Sequence, residues 1–398
     1  MPVALLGERS RSADVSRPTT PLASIILEQV QQRGRITFAE YMALCLYHPE
    51  YGYYTQGRER TGMGGDYFTS ADLHPIFARL LARQAAEIWE LLGRPRPFAW
   101  VEMGAGRGLF ARDFLLWARD RRHDFDAALD YVLMEASPNA TSRLLERLAA
   151  EGLKARAVAH LDELRPVTGC FFSNELVDSL PAAVVTRENN RLREIYVKVE
   201  EGRLIEATGP LSSSRLAAAV ARYAPELEEG ARAEFSLSAA DWMRAVAGKL
   251  QRGFVLTIDY GNLAPQLYTP DRPRGTLLAY RRHMASEDYF AAPGEQDLTA
   301  HVNFSLLIEE GRAAGVELTG FTTQERFLLA LGEENQFADL EEPQASAAER
   351  LQARLQLKRL IYPEAPAGMG AIFKVLIQHR GLEAPRPRGL KWARIYGA

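Results

Sequence analysis

The sequence predicts an α/β protein: a doubly wound, seven-stranded, mostly parallel sheet with an N-terminal helical cap and insertions after strands four and five. Three observations predict it. From Phe98 onward, short apolar runs alternate with segments of helical periodicity, the rhythm of strand–helix–strand units. The first run, Phe98–Met103, passes through glycines at 104, 106 and 108 straight into a helix. The last two runs, Val316–Thr322 and Ala371–Ile377, read as a hairpin-like terminal pair that brings the strand count to seven.

Residues 1–20 read as a disordered polar tail, because Glu8 and Asp14 interrupt the basic pattern a targeting segment would need. Leu22, Ile25, Ile26 and Val30 recur at helical spacing, Gly34 ends that helix, and Thr37 caps a second over Phe38–Leu46. A tyrosine-rich turn, YHPEYGYYT, and a glycine-rich loop, Gly62–Ser70, follow; His74-Pro75 then opens a helix to about Leu92. Residues 21–95 are thus a helical cap with a loop of its own. The sheet domain, 96–380, takes its next strands from Tyr131–Ala136, Ala155–Ala159, Cys170–Glu175 and Gly253–Gly261. Helices are expected over Leu109–Arg119, Pro138–Ala150, about Ala239–Leu250, Phe304–Ala314 and near Ala345–Leu360. The first insertion, about 181–237, opens as an antiparallel meander over Pro181–Gly209. The second, 262–301, lacks periodicity and reads as a long loop, functional or disordered. Residues 381–398 read as a tail.

The net charge of −3 gives no global electrostatic reason to bind nucleic acid. Only six of the 48 basic residues are lysines, so an arginine cluster carries little weight here. Cys45 and Cys170 form no metal spacing and no disulfide framework, which fits a reducing compartment. No metal is expected. No run of about 18 apolar residues exists, so no membrane insertion is read. A cytoplasmic location is expected, or a mitochondrial one in a eukaryote.

The segment Val101–Gly108, VEMGAGRG, carries the chemistry. Its glycines let the backbone turn tightly and approach a ligand, and the helix beyond offers free N–H groups. A dinucleotide loop would place its third glycine at 109, where Leu stands. Glu102 is a poor neighbour for a pyrophosphate but a good partner for an α-ammonium group, which S-adenosylmethionine carries. Glu102, Gly104, Ala105, Gly106 and Gly108 are therefore candidate contacts to that cofactor, with S-adenosylhomocysteine as its product. Glu135 closes the second strand, where a carboxylate accepts bonds from ribose hydroxyls. Asp162, after the third strand, stands where an adenine amino group would be read, or else it is an acid at a helix N-terminus.

Ser173–Asp178, SNELVD, follows strand four beside the switch point of such a sheet. With a helix starting at Asn174, Glu175 and Asp178 share a face. A sulfonium methyl is already activated, so the enzyme mainly aligns a nucleophile. Two carboxylates suit a guanidinium, which offers a planar fork of five donors, and one of them can take a proton. Asn174, Glu175 and Asp178 are the candidate catalytic residues; the same three also read as a helix cap. Asp259 ends strand five at the ligand edge, as a substrate contact or a turn former. Arg281, Arg282 and His283 could hold an acidic patch on a partner or a carboxylate of the cofactor, or form a solvated surface run.

Six segments, GDYFTS from Gly65, VEMGAGRG, SNELVDSLP, Ile258-Asp259-Tyr260-Gly261, GTLLAYRRH and PGEQDLTAHVNF, taken in order between about Leu22 and Ile377, resemble the MidA-like family of class I methyltransferases. That family includes the mitochondrial complex I assembly factor that methylates an arginine of a complex I subunit. The resemblance implies a Rossmann-like class I fold, S-adenosylmethionine as cofactor and protein arginine N-methylation, with a complex I-type subunit as a candidate partner. It matches Gly104, Gly106, Gly108 and Glu102 to the family's cofactor loop and Glu135 to its ribose acid. It makes GDYFTS a lid, so that Thr69 and Ser70 become cofactor candidates and Asp66 a substrate candidate. It also raises Arg281 and Arg282 as substrate contacts. Ala105 stands where many relatives carry proline. The alternatives are methylation of a small molecule or RNA, and a non-catalytic assembly module that keeps the cofactor fold. A homodimer is compatible with either.

Overall fold

The computed structural model describes residues 20–393 except 59, 63–64, 136–137, 342–343 and 364–367. Of residues 1–20, read above as a disordered tail, 1–19 lie outside it, while Thr20 is buried and caps the helix Pro21–Arg33. The central sheet is built from β1 Phe98–Met103, β2 Leu129–Met134, β3 Arg156–Val158, β4 Val167–Asn174, β5 Leu250–Asn262, β6 Glu317–Thr323 and β7 Phe373–Arg380. Their order is β6-β7-β5-β4-β1-β2-β3, and Val302–Asn303 adds a short eighth strand at the end of β5. Strands β1 to β5 run parallel where they pair, while β7 is antiparallel to both β5 and β6. The order reverses between β1 and β4, and there a crevice opens outside the carboxyl ends of the strands.

β1 is buried along its whole length, as a strand covered on both faces must be. Its pleat sends alternate side chains to two cores. Phe98 and Trp100 pack with the helices Ile76–Leu91 and Leu109–Arg121; Ala99, Val101 and Met103 pack with Leu237–Lys249 and Phe304–Ala313.

A third core gathers three segments far apart in sequence. Ile26, Phe38 and Tyr41 of the N-terminal helices pack on Val184, Ile195 and Val197 of the first insertion and on Ala279 and Leu298 of the second. The first insertion contains strands Ala183–Glu188, Arg191–Glu200, Arg203–Gly209 and Arg232–Phe235, with a helix Ser214–Tyr223. Ile36–Thr37 from the cap completes that sheet as an edge strand. The second insertion is not the aperiodic loop expected. It holds a three-stranded antiparallel sheet of Leu278–Arg281, Met284–Ser286 and Asp297–Thr299. Strands of three or four residues are too short to display an alternation in sequence. The segment from 381, read as a tail, folds back: the Gly389 N–H donates to Gln84 Oε1 at 2.9 Å, and a Cβ at 389 would strike the Phe327 ring.

Candidate active site

A cavity of about 1050 Å³ opens at the carboxyl ends of β1, β2 and β4 and is roofed by the cap. The loop after β1 forms one wall. Gly104, Gly106 and Gly108 have φ of 74°, 52° and 72°, the left-handed region that glycine occupies without strain. A Cβ on Gly108 would lie 2.0 Å from Leu144 Cδ1, whereas one on Gly106 would meet nothing closer than 4.0 Å. The tight glycine therefore serves packing, and the open one leaves room for a ligand. Gly108 caps the helix Leu109–Arg121 without a side-chain bond, so that helix presents its first N–H groups uncapped by a side chain.

Glu102, Ala105 and Glu135 also line this cavity. Glu102 is 4% exposed and accepts the Tyr131 hydroxyl at 2.6 Å. Burial pushes its carboxyl up to about 8, opposed by the Tyr131 bond and reinforced by the nearby Glu135 charge. A cationic ligand group here would draw it back to the carboxylate form. A glycine turn, an uncapped helix end, a buried acid and a second acid beyond the neighbouring strand together fit S-adenosylmethionine.

The helix expected from Asn174 does not form. Asn174 ends β4, Glu175 takes a left-handed φ of 53°, and only a 3-10 turn follows at Val177–Ser179. The cause lies on β5. Asp259 Oδ2 accepts the N–H groups of Leu176, Val177 and Asp178 at 3.2, 2.8 and 3.3 Å, folding the chain around one carboxylate. Asp259 is 1% exposed and lies outside the cavity lining, where it organises the turn. The turn also separates the two acids that were to share a helix face. Glu175 lines the cavity with Asn174, whereas Asp178 points into the protein and borders a separate void of about 20 Å³ with Glu234 and His301. Burial raises both Asp178 and Asp259, and the Asp178 charge raises Asp259 further. Glu175 Oε1 accepts the Ser70 N–H and Asn174 Nδ2, each at 3.0 Å. Burial pushes Glu175 up to about 8 despite those bonds.

The GDYFTS segment supplies a brace as well as a lining. Thr69 lines the cavity and caps the turn Ser70–Leu73 in a reciprocal box with Asp72. Asp72 in turn accepts Arg107 of the glycine loop at 3.2 Å. Ser70 reaches the site through its backbone only, its hydroxyl being turned to Gln324. Asp66 does not line the cavity; it accepts the Tyr53 hydroxyl at 2.8 Å and the Arg282 N–H at 2.7 Å, tying the lid to the second insertion. Arg281 is exposed and paired with Glu295, and Arg282 is exposed with a left-handed φ of 50°. Neither arginine lines the cavity. Nor does Asp162, which is exposed on a 3-10 turn, since the chain leaves the sheet after the short β3 and presents Ala159 instead. Sequence reasoning missed Tyr47, Tyr54, Tyr67 and Ser179, all of which line the cavity. For Tyr47 and Tyr54 the signal was the density of tyrosine in YHPEYGYYT; Tyr67 and Ser179 stood inside GDYFTS and SNELVDSLP. Among the described residues, no helix is long and apolar enough to cross a membrane, and no cluster of His, Cys, Asp or Glu could hold a metal ion.

Residues 80–322 match the model of a family described as "Putative S-adenosyl-L-methionine-dependent methyltransferase". A Drosophila melanogaster protein named "Protein arginine methyltransferase NDUFAF7 homolog, mitochondrial" is 27% identical over 389 residues, covering 91% of this chain and 86% of its own. The Homo sapiens protein named "Protein arginine methyltransferase NDUFAF7, mitochondrial" is 26% identical over 348 residues, with 81% and 76% covered. A Burkholderia thailandensis protein crystallised with S-adenosyl-homocysteine superposes with a TM-score of 0.84 at 32% identity, covering 94% of this chain and 95% of its own. The Drosophila and human relatives carry a mitochondrial name and lend no support to the cytoplasmic location expected above. The fold, the cavity and a family match spanning most of the sheet domain converge: the chain belongs to the MidA-like S-adenosylmethionine-dependent methyltransferases, and it is an enzyme of that class.

Proposed function

We propose that this methyltransferase modifies an arginine side chain of a protein partner. The observation that carries the reading is Glu175, a cavity-lining carboxylate that shares one chamber with the glycine loop and Glu135. The names of the curated relatives support the same acceptor. In this reading Gly104, Ala105, Gly106 and Gly108 cradle the cofactor, Glu102 faces its ammonium group and Glu135 its ribose. Bound there, S-adenosylmethionine supplies a methyl already activated on sulfur, so the protein's task is alignment and charge. Glu175 accepts N–H bonds from the guanidinium, orients one terminal nitrogen, and takes the proton that this nitrogen sheds on becoming methylated. A carboxyl raised to about 8 is well matched to that last role. Asp259 holds the Glu175 turn in shape, and neither it nor Asp178 touches the acceptor. A subunit of complex I type is the partner the family resemblance implies.

The test is transfer of labelled methyl from S-adenosylmethionine onto a lysate of the source cells, followed by mass spectrometry of the labelled species. Methylarginine in a protein band is the expected result. Label confined to small molecules or RNA would overturn the acceptor assignment while leaving the enzyme class intact.

A further inference from the structure

Arg107 stands between Gly106 and Gly108 on the cofactor loop, yet its side chain is held by the cap. Its guanidinium lies against Gly62: a Cβ there, at a φ of 85°, would be 2.6 Å from Arg107 Nη1. The same Nη1 donates to Asp72 Oδ1 at 3.2 Å. The Asp72 side chain is 4% exposed, and Arg107 is its one ion-pair partner among the described residues. A carboxylate that deep is costly without a compensating charge, so losing Arg107 would disturb whatever Asp72 holds.

What Asp72 holds is the turn that serves Glu175. Its Oδ2 accepts the Thr69 N–H at 2.9 Å and the Thr69 hydroxyl at 2.8 Å, and its Oδ1 also accepts the Thr61 hydroxyl at 3.3 Å. Thr69 is followed by Ser70, whose N–H goes to Glu175 Oε1 at 3.0 Å. One chain of bonds therefore runs from the cofactor loop to the acid: Arg107 to Asp72, Asp72 to Thr69, and through a single planar peptide unit to Ser70 and Glu175. Arg107, Asp72, Thr69 and Glu175 all line the cavity. Glycines on both sides leave the backbone around Arg107 free to adjust to what occupies the loop.

We propose that Arg107 is a positioning residue: by gripping Asp72 it holds the Ser70 N–H on Glu175, and so makes the readiness of that acid depend on an occupied cofactor loop. The inference rests on the reading of Glu175 as the group that receives the proton, and adds the residue that sets it up. Two effects of losing Arg107 have the same sign. The turn loosens, and Glu175 loses an N–H bond that favours its charged form. The Asp72 charge, which opposes ionisation of Glu175 together with that of Asp178, is no longer offset. The other groups facing Glu175, namely Asp178 after β4, Asp259 on β5 and the Asn174 amide, are untouched by the change.

Hydrogen exchange of the Ser70 amide reads the coupling directly, on the full chain with and without saturating S-adenosylhomocysteine. In the wild type the ligand is expected to slow that exchange at least about tenfold. Arg107→Gln is expected to bind S-adenosylhomocysteine within about fivefold of wild-type affinity and yet lose the slowing. Arg107→Lys keeps the charge and is expected to retain most of it. Labelled-methyl transfer onto the lysate of the source cells, at saturating S-adenosylmethionine, gives the second readout. There Arg107→Gln should move the acid limb of the pH profile up by about one pH unit, and Arg107→Lys should restore it. An ion pair that only stabilised the fold would lower the denaturation midpoint and leave both readouts in place, and that result overturns the proposal. So does a wild-type Ser70 amide indifferent to the ligand, or a slowing that survives in Arg107→Gln. Undiminished transfer by Glu175→Gln fells the proton-acceptor reading alone, since loss of the Ser70 slowing in Arg107→Gln would still uphold the coupling.

Discussion

The two walls of the cavity are built in opposite ways. The wall at the ends of β1 and β2 comes from contiguous sequence: a strand, a glycine turn and a helix over residues 98–121, with Glu135 directly after the neighbouring strand. The wall facing it comes from the cap, which both insertions back through a core that links Ile26 to Val197 and Leu298. A ligand half common to many acceptors can be served by a local motif that any parallel sheet can carry. An acceptor half peculiar to one partner needs a surface of its own shape, which an added cap can supply without disturbing the sheet. Glu175 stands on the seam, held by Asn174 from β4 and by the Ser70 N–H from the cap.

If this division holds, variants should sort by wall. The largest effect is expected at the seam. Glu175→Gln keeps the shape and loses the charge, so methyl transfer should fall on the order of a thousandfold, with S-adenosylhomocysteine affinity within about threefold of wild type. A parallel loss of cofactor affinity would show that the walls are not separable there. Next, on the sheet wall, Gly106→Val places a branched side chain at a left-handed φ and into the open space beside it. Calorimetry with S-adenosylhomocysteine should record a loss on the order of a hundredfold. Retained affinity would move the cofactor elsewhere.

Asp259→Ala removes the acceptor of three backbone N–H groups beneath the seam. Chemical denaturation should show a loss of about 2 kcal/mol, together with reduced methyl transfer as the Glu175 turn loosens. Unchanged stability would mean that the turn is held by other contacts. The smallest effect is a pH dependence. Glu102 and Glu175 are each raised from 4.5 to about 8, so the folded protein binds more protons than the unfolded chain between those values. Their contribution to stability is fully present below about 4.5 and is lost as pH rises through about 8. Glu102→Gln should flatten that decline in a series of denaturation midpoints, and a slope identical to wild type would contradict the burial of Glu102 as its cause.

The sheet was legible because its instructions are local. An apolar run buried on both faces, a spacing of glycines and a helix beginning at once are all properties of neighbouring residues, and they located Gly104, Gly106, Gly108, Glu102 and Glu135 on the cavity wall. The reading of SNELVD failed for the opposite reason. Local propensity favoured a capped helix from Asn174, but Asp259, 81 residues beyond Asp178, bound the same N–H groups from β5 and folded them into a tighter turn. Arg281, Arg282 and Asp66 stood out in the sequence for their charge, yet their hydrogen bonds tie lid and insertion together away from the cavity. Tyr47 and Tyr54 left no trace beyond their abundance, because a ring becomes a wall only when Ser179 and Asp297 arrive to hold its hydroxyl. By itself, then, the sequence determined the sheet and the mouth of its first turn, where bonding partners lie within one supersecondary unit. Only the tertiary structure decided which acid faces the cavity and what stands opposite it, because those choices depend on partners that chain length separates and packing brings together.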